Sequence, residues 1–121
     1  MHYLAMALVL LVAVEHIYIL VLEMFLWTKP KGRKVFGLEE EFANSTRAMA
    51  ANQGLYNGFL AAGLIWGLIH PVAYVGMQIQ LFFLCCVLTA AIYGSITANK
   101  SILFSQGAPA LIALAGVLLF Y

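Results

Sequence analysis

Apolar residues run almost unbroken through four stretches of the chain, at about 3–27, 48–69, 73–97 and 102–121. Each run is close to the ~20 residues a helix needs to cross a bilayer. None alternates with a period of two, so strands are not expected. His70-Pro71 stops the second run, and Asn99-Lys100-Ser101 separates the third from the fourth. The pattern predicts an all-α integral membrane four-helix bundle, a single domain over 1–121.

The first connection is the longest. Lys29-Pro30-Lys31-Gly32 reads as a turn. Glu39-Glu40-Glu41 then suits the start of a helix, where acids meet the positive end of the helix dipole. A continuous second helix over 38–69 is expected. At 1.5 Å per residue it would measure roughly 47 Å and protrude into the cytoplasm. The alternative is a separate interfacial helix over 38–46.

Composition agrees with the pattern. The chain is 64% hydrophobic and 9% charged, against about 25% charged in soluble domains. Its mean hydropathy is +0.97. The six basic residues fall in two places: Lys29, Lys31, Arg33, Lys34 and Arg47 in the first connection, and Lys100 in the third. The positive-inside rule puts connections one and three in the cytoplasm and both termini outside, in a cell membrane. The first run lacks a basic leader and a small-residue cleavage site, so it is expected to be a retained span. Cys85 and Cys86 are adjacent, which makes a structural disulfide between them an unfavourable expectation. No zinc spacing, phosphate-binding loop, Ser-His-Asp arrangement or nucleic-acid motif is present. The Lys29–Lys34 segment is expected on anionic lipid headgroups rather than nucleic acid.

Candidate chemistry sits inside the spans. Glu15, His16 and Glu23 interrupt the first apolar run, and a charged group there costs roughly 2.5–3.5 kcal/mol on insertion scales. Counting from the helix ends, Glu23, Asn52, Gln53, Tyr93 and Gln106 lie about 6–8 Å inside the cytoplasmic boundary. Asn57 and Thr89 lie roughly 13 Å deep, and Glu15 and His16 about 18–20 Å. His16 and Glu23 are seven residues apart and share a face; Gln53 and Asn57 share another. One polar layer opening to the cytoplasm follows. Glu23, His16 and Glu15 are its candidate catalytic or proton-carrying groups. Asn52, Gln53, Asn57, Tyr93, Arg47 and Gln106 are candidate ligand contacts. No metal is expected, and no cofactor is indicated. The bland alternatives are a buried Glu15–His16 pair, Glu23 reaching Lys29 or Arg47, and amides serving as interhelical glue.

The run Met49-Ala50-Ala51-Asn52-Gln53-Gly54-Leu55-Tyr56-Asn57-Gly58-Phe59-Leu60-Ala61-Ala62-Gly63, with Glu15-His16 and Glu23-Met24-Phe25, resembles a bacterial family of small membrane proteins. That family is domain of unknown function 1304. The resemblance implies a four-span bacterial membrane protein and no established activity. Arg47-Ala48 followed by Asn52 is also similar to the helix-two signature of the membrane-associated eicosanoid and glutathione metabolism family. That likeness implies a four-span architecture with outward termini and a trimer. It departs where Leu55 replaces an acid and where helices three and four lack arginines.

Three functions compete. The first is a small-molecule- or lipid-binding membrane enzyme with its site in the polar layer. The second is a subunit of a proton-coupled transporter or channel, with Glu15 and His16 as coupling groups. The third is a non-catalytic assembly partner. Membrane lipids and further copies of the chain are the expected partners; the GxxxG pairs Gly54/Gly58 and Gly63/Gly67 suit close helix contacts.

Overall fold

The computed structural model describes residues 1–120. Among them every regular element is helical: α1 (His2–Met24), α2 (Pro30–Phe36), α3 (Glu40–Ser45), α4 (Arg47–Ile69), α5 (Ala73–Thr97), a π-helical turn over Leu103–Gly107, and α6 (Ala108–Phe120). Tyr121, the last residue of the expected fourth helix, lies outside the described residues.

Three helical segments are long and apolar enough to cross a membrane: His2–Met24, Ala73–Thr97 and Leu103–Phe120. The fourth expected span, α4, has 23 residues but is not among them. Asn52, Gln53 and Asn57, with four glycines between Gly54 and Gly67, dilute its apolar character.

Several boundaries differ from the sequence expectation, each for a local reason. Helix α1 ends at Met24 rather than near 27, where Leu26 N–H reaches back five residues to Val21 O. The expected turn at 29–32 is instead the start of α2. Pro30 occupies its first turn, where a missing N–H costs nothing. Gly37 ends α2 with φ 66°, a left-handed cap, and Leu38 N–H closes on Arg33 O at 2.8 Å. The expected continuous helix over 38–69 is divided at Thr46, whose φ −106° and ψ 8° leave the helical region. Its hydroxyl donates to Phe42 O at 2.7 Å, a local bond that competes with a regular turn. The last expected helix opens with the π turn, in which Ala108 N–H donates to Leu103 O. Pro109 follows, with no N–H for Ser105 O and a ring that crowds it, so the wider turn fits there.

The chain forms two compact units. The first comprises residues 1–14 and 60–120. Its core is built from Ala5, Val9, Val12 and Ala13 of α1, Leu64 of α4, Leu84 and Val87 of α5, and Ala110, Ala113 and Val117 of α6. Those spacings of three and four residues place each set on one helix face. Around the His70-Pro71 turn, α4 and α5 cross closely: a Cβ on Gly76 would stand 2.5 Å from Gly67 O. Gln80, fully buried, donates from Nε2 to that same Gly67 carbonyl at 3.0 Å. Gly76→Ala is expected to destabilise the protein by about 1 kcal/mol, because the backbone clash outweighs the helix-propensity gain. A thermal denaturation curve in nanodiscs measures it.

The second unit is Glu15–Phe59. Trp27 Nε1–H donates to Thr46 Oγ1 at 3.0 Å, which ties the end of α1 to the α3–α4 break. The Trp27 ring also packs on Phe36 of α2, with centroids 5.0 Å apart. Lys31 Nζ lies 5.8 Å from the Tyr18 ring centroid, within cation–π range.

Candidate functional site

The site forms within the second unit, where α1 and α4 lie side by side. Glycine makes the approach possible. A Cβ on Gly54 would meet Met24 Cγ at 2.7 Å, Glu23 Cβ at 3.0 Å and Leu20 O at 3.2 Å. One turn on, a Cβ on Gly58 would meet Leu20 Cδ1 at 2.6 Å. The Gly54/Gly58 pair is therefore a real helix contact in this protein, not only a pattern in the sequence.

That approach brings Asn57 to Glu23. Asn57 Nδ2 donates to Glu23 Oε1 at 2.6 Å. Glu23 is only 3% exposed and Asn57 is half-buried. A buried carboxyl without a donor would be expensive, and the amide supplies one. Glu23 thus pairs with an amide, not with Lys29 or Arg47 as its structural alternative supposed.

His16 lies seven residues before Glu23 and is 1% exposed. Its burial follows from the face it shares with Glu23, and it has a partner of its own. Glu15 is half-buried, and its Oε1 is sealed from solvent with no hydrogen-bond partner among the described residues.

The other candidates are arranged differently. Asn52 is exposed, and its Nδ2 donates back to Ala48 O of the same helix at 2.9 Å. Gln53 and Arg47 are also exposed. The expected shared face of Gln53 and Asn57 therefore splits: Asn57 turns to α1 and Gln53 does not. Tyr93 of α5, 68% exposed, and the half-buried Gln106 of the π turn belong to the first unit. Thr89 bonds Cys85 O at 2.7 Å within its own helix. Cys85 and Cys86 are both free thiols. Among the described residues no three His, Cys, Asp or Glu side chains group as metal ligands.

One residue that sequence reasoning passed over is Gln80. Its burial at the Gly67–Gly76 crossing shows only when the helices are packed. The available signal was weak: one of two amides, Gln78 and Gln80, just beyond a glycine in an apolar run.

These features define an all-helical protein with three helices fit to cross a membrane and a buried acid–amide pair between two of its helices. The chain belongs to the family described as "Protein of unknown function (DUF1304)", which it matches over residues 10–118. It is also similar to "Uncharacterized protein YpaA" of Lactococcus lactis subsp. lactis (strain IL1403). The two are 38% identical over 107 residues, covering 87% of this chain and 88% of the relative. No solved structure matches the chain.

Proposed function

We propose that the chain is a four-span protein of the bacterial cytoplasmic membrane that binds a small molecule or lipid at a polar site centred on Glu23. In this reading α4 is the fourth span: its 23 residues cover roughly 34 Å, enough to cross. Connections one and three, which carry every Lys and Arg, face the cytoplasm and both termini face outward. Large exposed side chains such as Leu11, Phe82 and Leu118 then meet lipid tails rather than water.

The observation that carries the proposal is the Glu23–Asn57 bond. An acid near the end of an apolar helix is costly, and here it is held by a neutral amide rather than cancelled by a protein cation. Such a carboxyl keeps its capacity to exchange a proton or to meet a cationic or hydrogen-bonding ligand. Asn52, Gln53 and Arg47 of the same unit are the proposed further contacts, with His16 and Glu15 as a deeper relay. The outward-facing Asn52 and Gln53 support self-association, since amides turned toward hydrocarbon gain from a second copy. The architectural likeness suggests a trimer.

A second reading, a subunit of a proton-coupled transporter, is favoured by the unpartnered Glu15 Oε1. In that case Glu15→Gln abolishes proton-coupled flux in proteoliposomes and leaves ligand retention unchanged.

Native mass spectrometry of protein extracted directly into nanodiscs tests the main reading. We expect a co-purifying small-molecule or lipid adduct that falls about 10-fold in Glu23→Gln. An adduct-free wild type, with Glu23→Gln only lowering Tm, would instead identify a packing role and a non-catalytic assembly protein.

A further inference from the structure

In α2 one nitrogen of a charged side chain lacks a hydrogen-bond partner. Arg33 is half-buried, and its Nε is sealed from solvent with no hydrogen-bond acceptor among the described residues. A guanidinium N–H drawn out of water needs an acceptor, and leaving it without one is costly. Lys34 follows it, exposed, and together they border an open groove completed by Pro30, Gly37 and Leu38. The left-handed cap at Gly37 folds Leu38 back over Arg33 O and so shapes the groove's far wall. Val35 and Phe36, next in the same helix, and Phe42 of α3 are exposed apolar side chains.

We propose that Arg33 and Lys34 form a binding site for the phosphate of an anionic phospholipid headgroup, with Val35, Phe36 and Phe42 resting against the acyl boundary. The general attraction of a basic segment to an anionic surface is diffuse and scales with charge number. This site differs because Arg33 is half-buried, with its Nε sealed from solvent, at the edge of a groove. Its planar fork matches two phosphate oxygens. Lys34 adds a point charge at the groove's edge. The apolar neighbours favour a lipid over a free phosphate, since they gain only from an acyl chain. The inference rests on the membrane placement proposed above, but not on Glu23 or its ligand.

Nanodiscs of equal phosphatidylglycerol and phosphatidylcholine, examined by native mass spectrometry, test it. Wild type is expected to retain phosphatidylglycerol preferentially. Arg33→Gln combined with Lys34→Gln should lower that preference about 10-fold. Arg33→Lys keeps the charge but loses the fork, and should fall between the two. Lys100→Gln should retain the wild-type preference. Equal retention of both lipids, or a loss in Lys100→Gln as large as in the double variant, would overturn the proposal in favour of diffuse attraction. Equal thermal protection of detergent-solubilised protein by inorganic phosphate would overturn the lipid as the source. Failure of the Glu23 adduct with phosphatidylglycerol selectivity intact would count against the ligand reading alone.

Discussion

Gly54→Val is expected to destabilise the protein by roughly 2–4 kcal/mol, combining overpacking with a lost buried hydrogen bond. The added side chain would begin 3.0 Å from Glu23 Cβ and 3.2 Å from the Leu20 carbonyl. Valine adds two γ-carbons beyond that Cβ, and the Leu20 oxygen is backbone and cannot swing aside, so α1 and α4 must separate. Separation stretches the 2.6 Å bond from Asn57 to Glu23. Gly54→Ala should cost much less. Its Cβ meets the flexible Met24 side chain first, at 2.7 Å, and alanine gains about 0.8–1.0 kcal/mol of helix propensity over glycine. Thermal denaturation of the two variants in nanodiscs checks the order. Equal stability of Gly54→Val and wild type would mean that the helices do not meet at this glycine.

Asn57→Leu is the second large effect, at about 1–3 kcal/mol. Leucine conserves much of the volume and removes the donor, so Glu23 is left buried without its amide. Glu23→Leu alone strands the Asn57 donor in the same way. The double variant replaces both partners with apolar groups, which is often close to neutral. The double-mutant cycle should therefore show a coupling of roughly 0.5–3 kcal/mol. Additive single effects would show that the two side chains do not share a bond in the membrane. The cycle also bears on function. If ligand retention falls in Glu23→Leu while the double variant regains stability but not retention, the acid has a role beyond packing.

Much of the candidate site was legible beforehand, one residue at a time. An acid in an apolar run is anomalous wherever it sits, so Glu15 and Glu23 stand out without any structure. The shared face of His16 and Glu23 follows from a seven-residue interval on a helix. Partners were not legible. Asn52, Gln53 and Asn57 are three amides within six positions, and periodicity alone gives them equal standing. Only the Gly54/Gly58 contact selects Asn57 for Glu23 and turns Gln53 outward. Arg33 looked like one of several basic residues, and nothing in the order of residues tells that its Nε is sealed.

Element boundaries divide along the same line. The apolar runs by themselves predicted an all-helical chain with four spans, and three of those segments are fit to cross a membrane, because length and hydropathy are sums over neighbouring residues. Pro30 and Gly37 also bracket α2 by local rules, although the more familiar reading of Lys-Pro-Lys-Gly as a turn obscured them. The tie of Trp27 to Thr46, nineteen positions apart, was decided by tertiary structure, since the indole finds the threonine hydroxyl only when the two segments meet. So was the pairing of Glu23 with Asn57, thirty-four positions apart. The physical reason is common to both. Hydropathy and propensity are properties of a segment, whereas a hydrogen bond between distant side chains exists only once two helices have found the small residues that let them close.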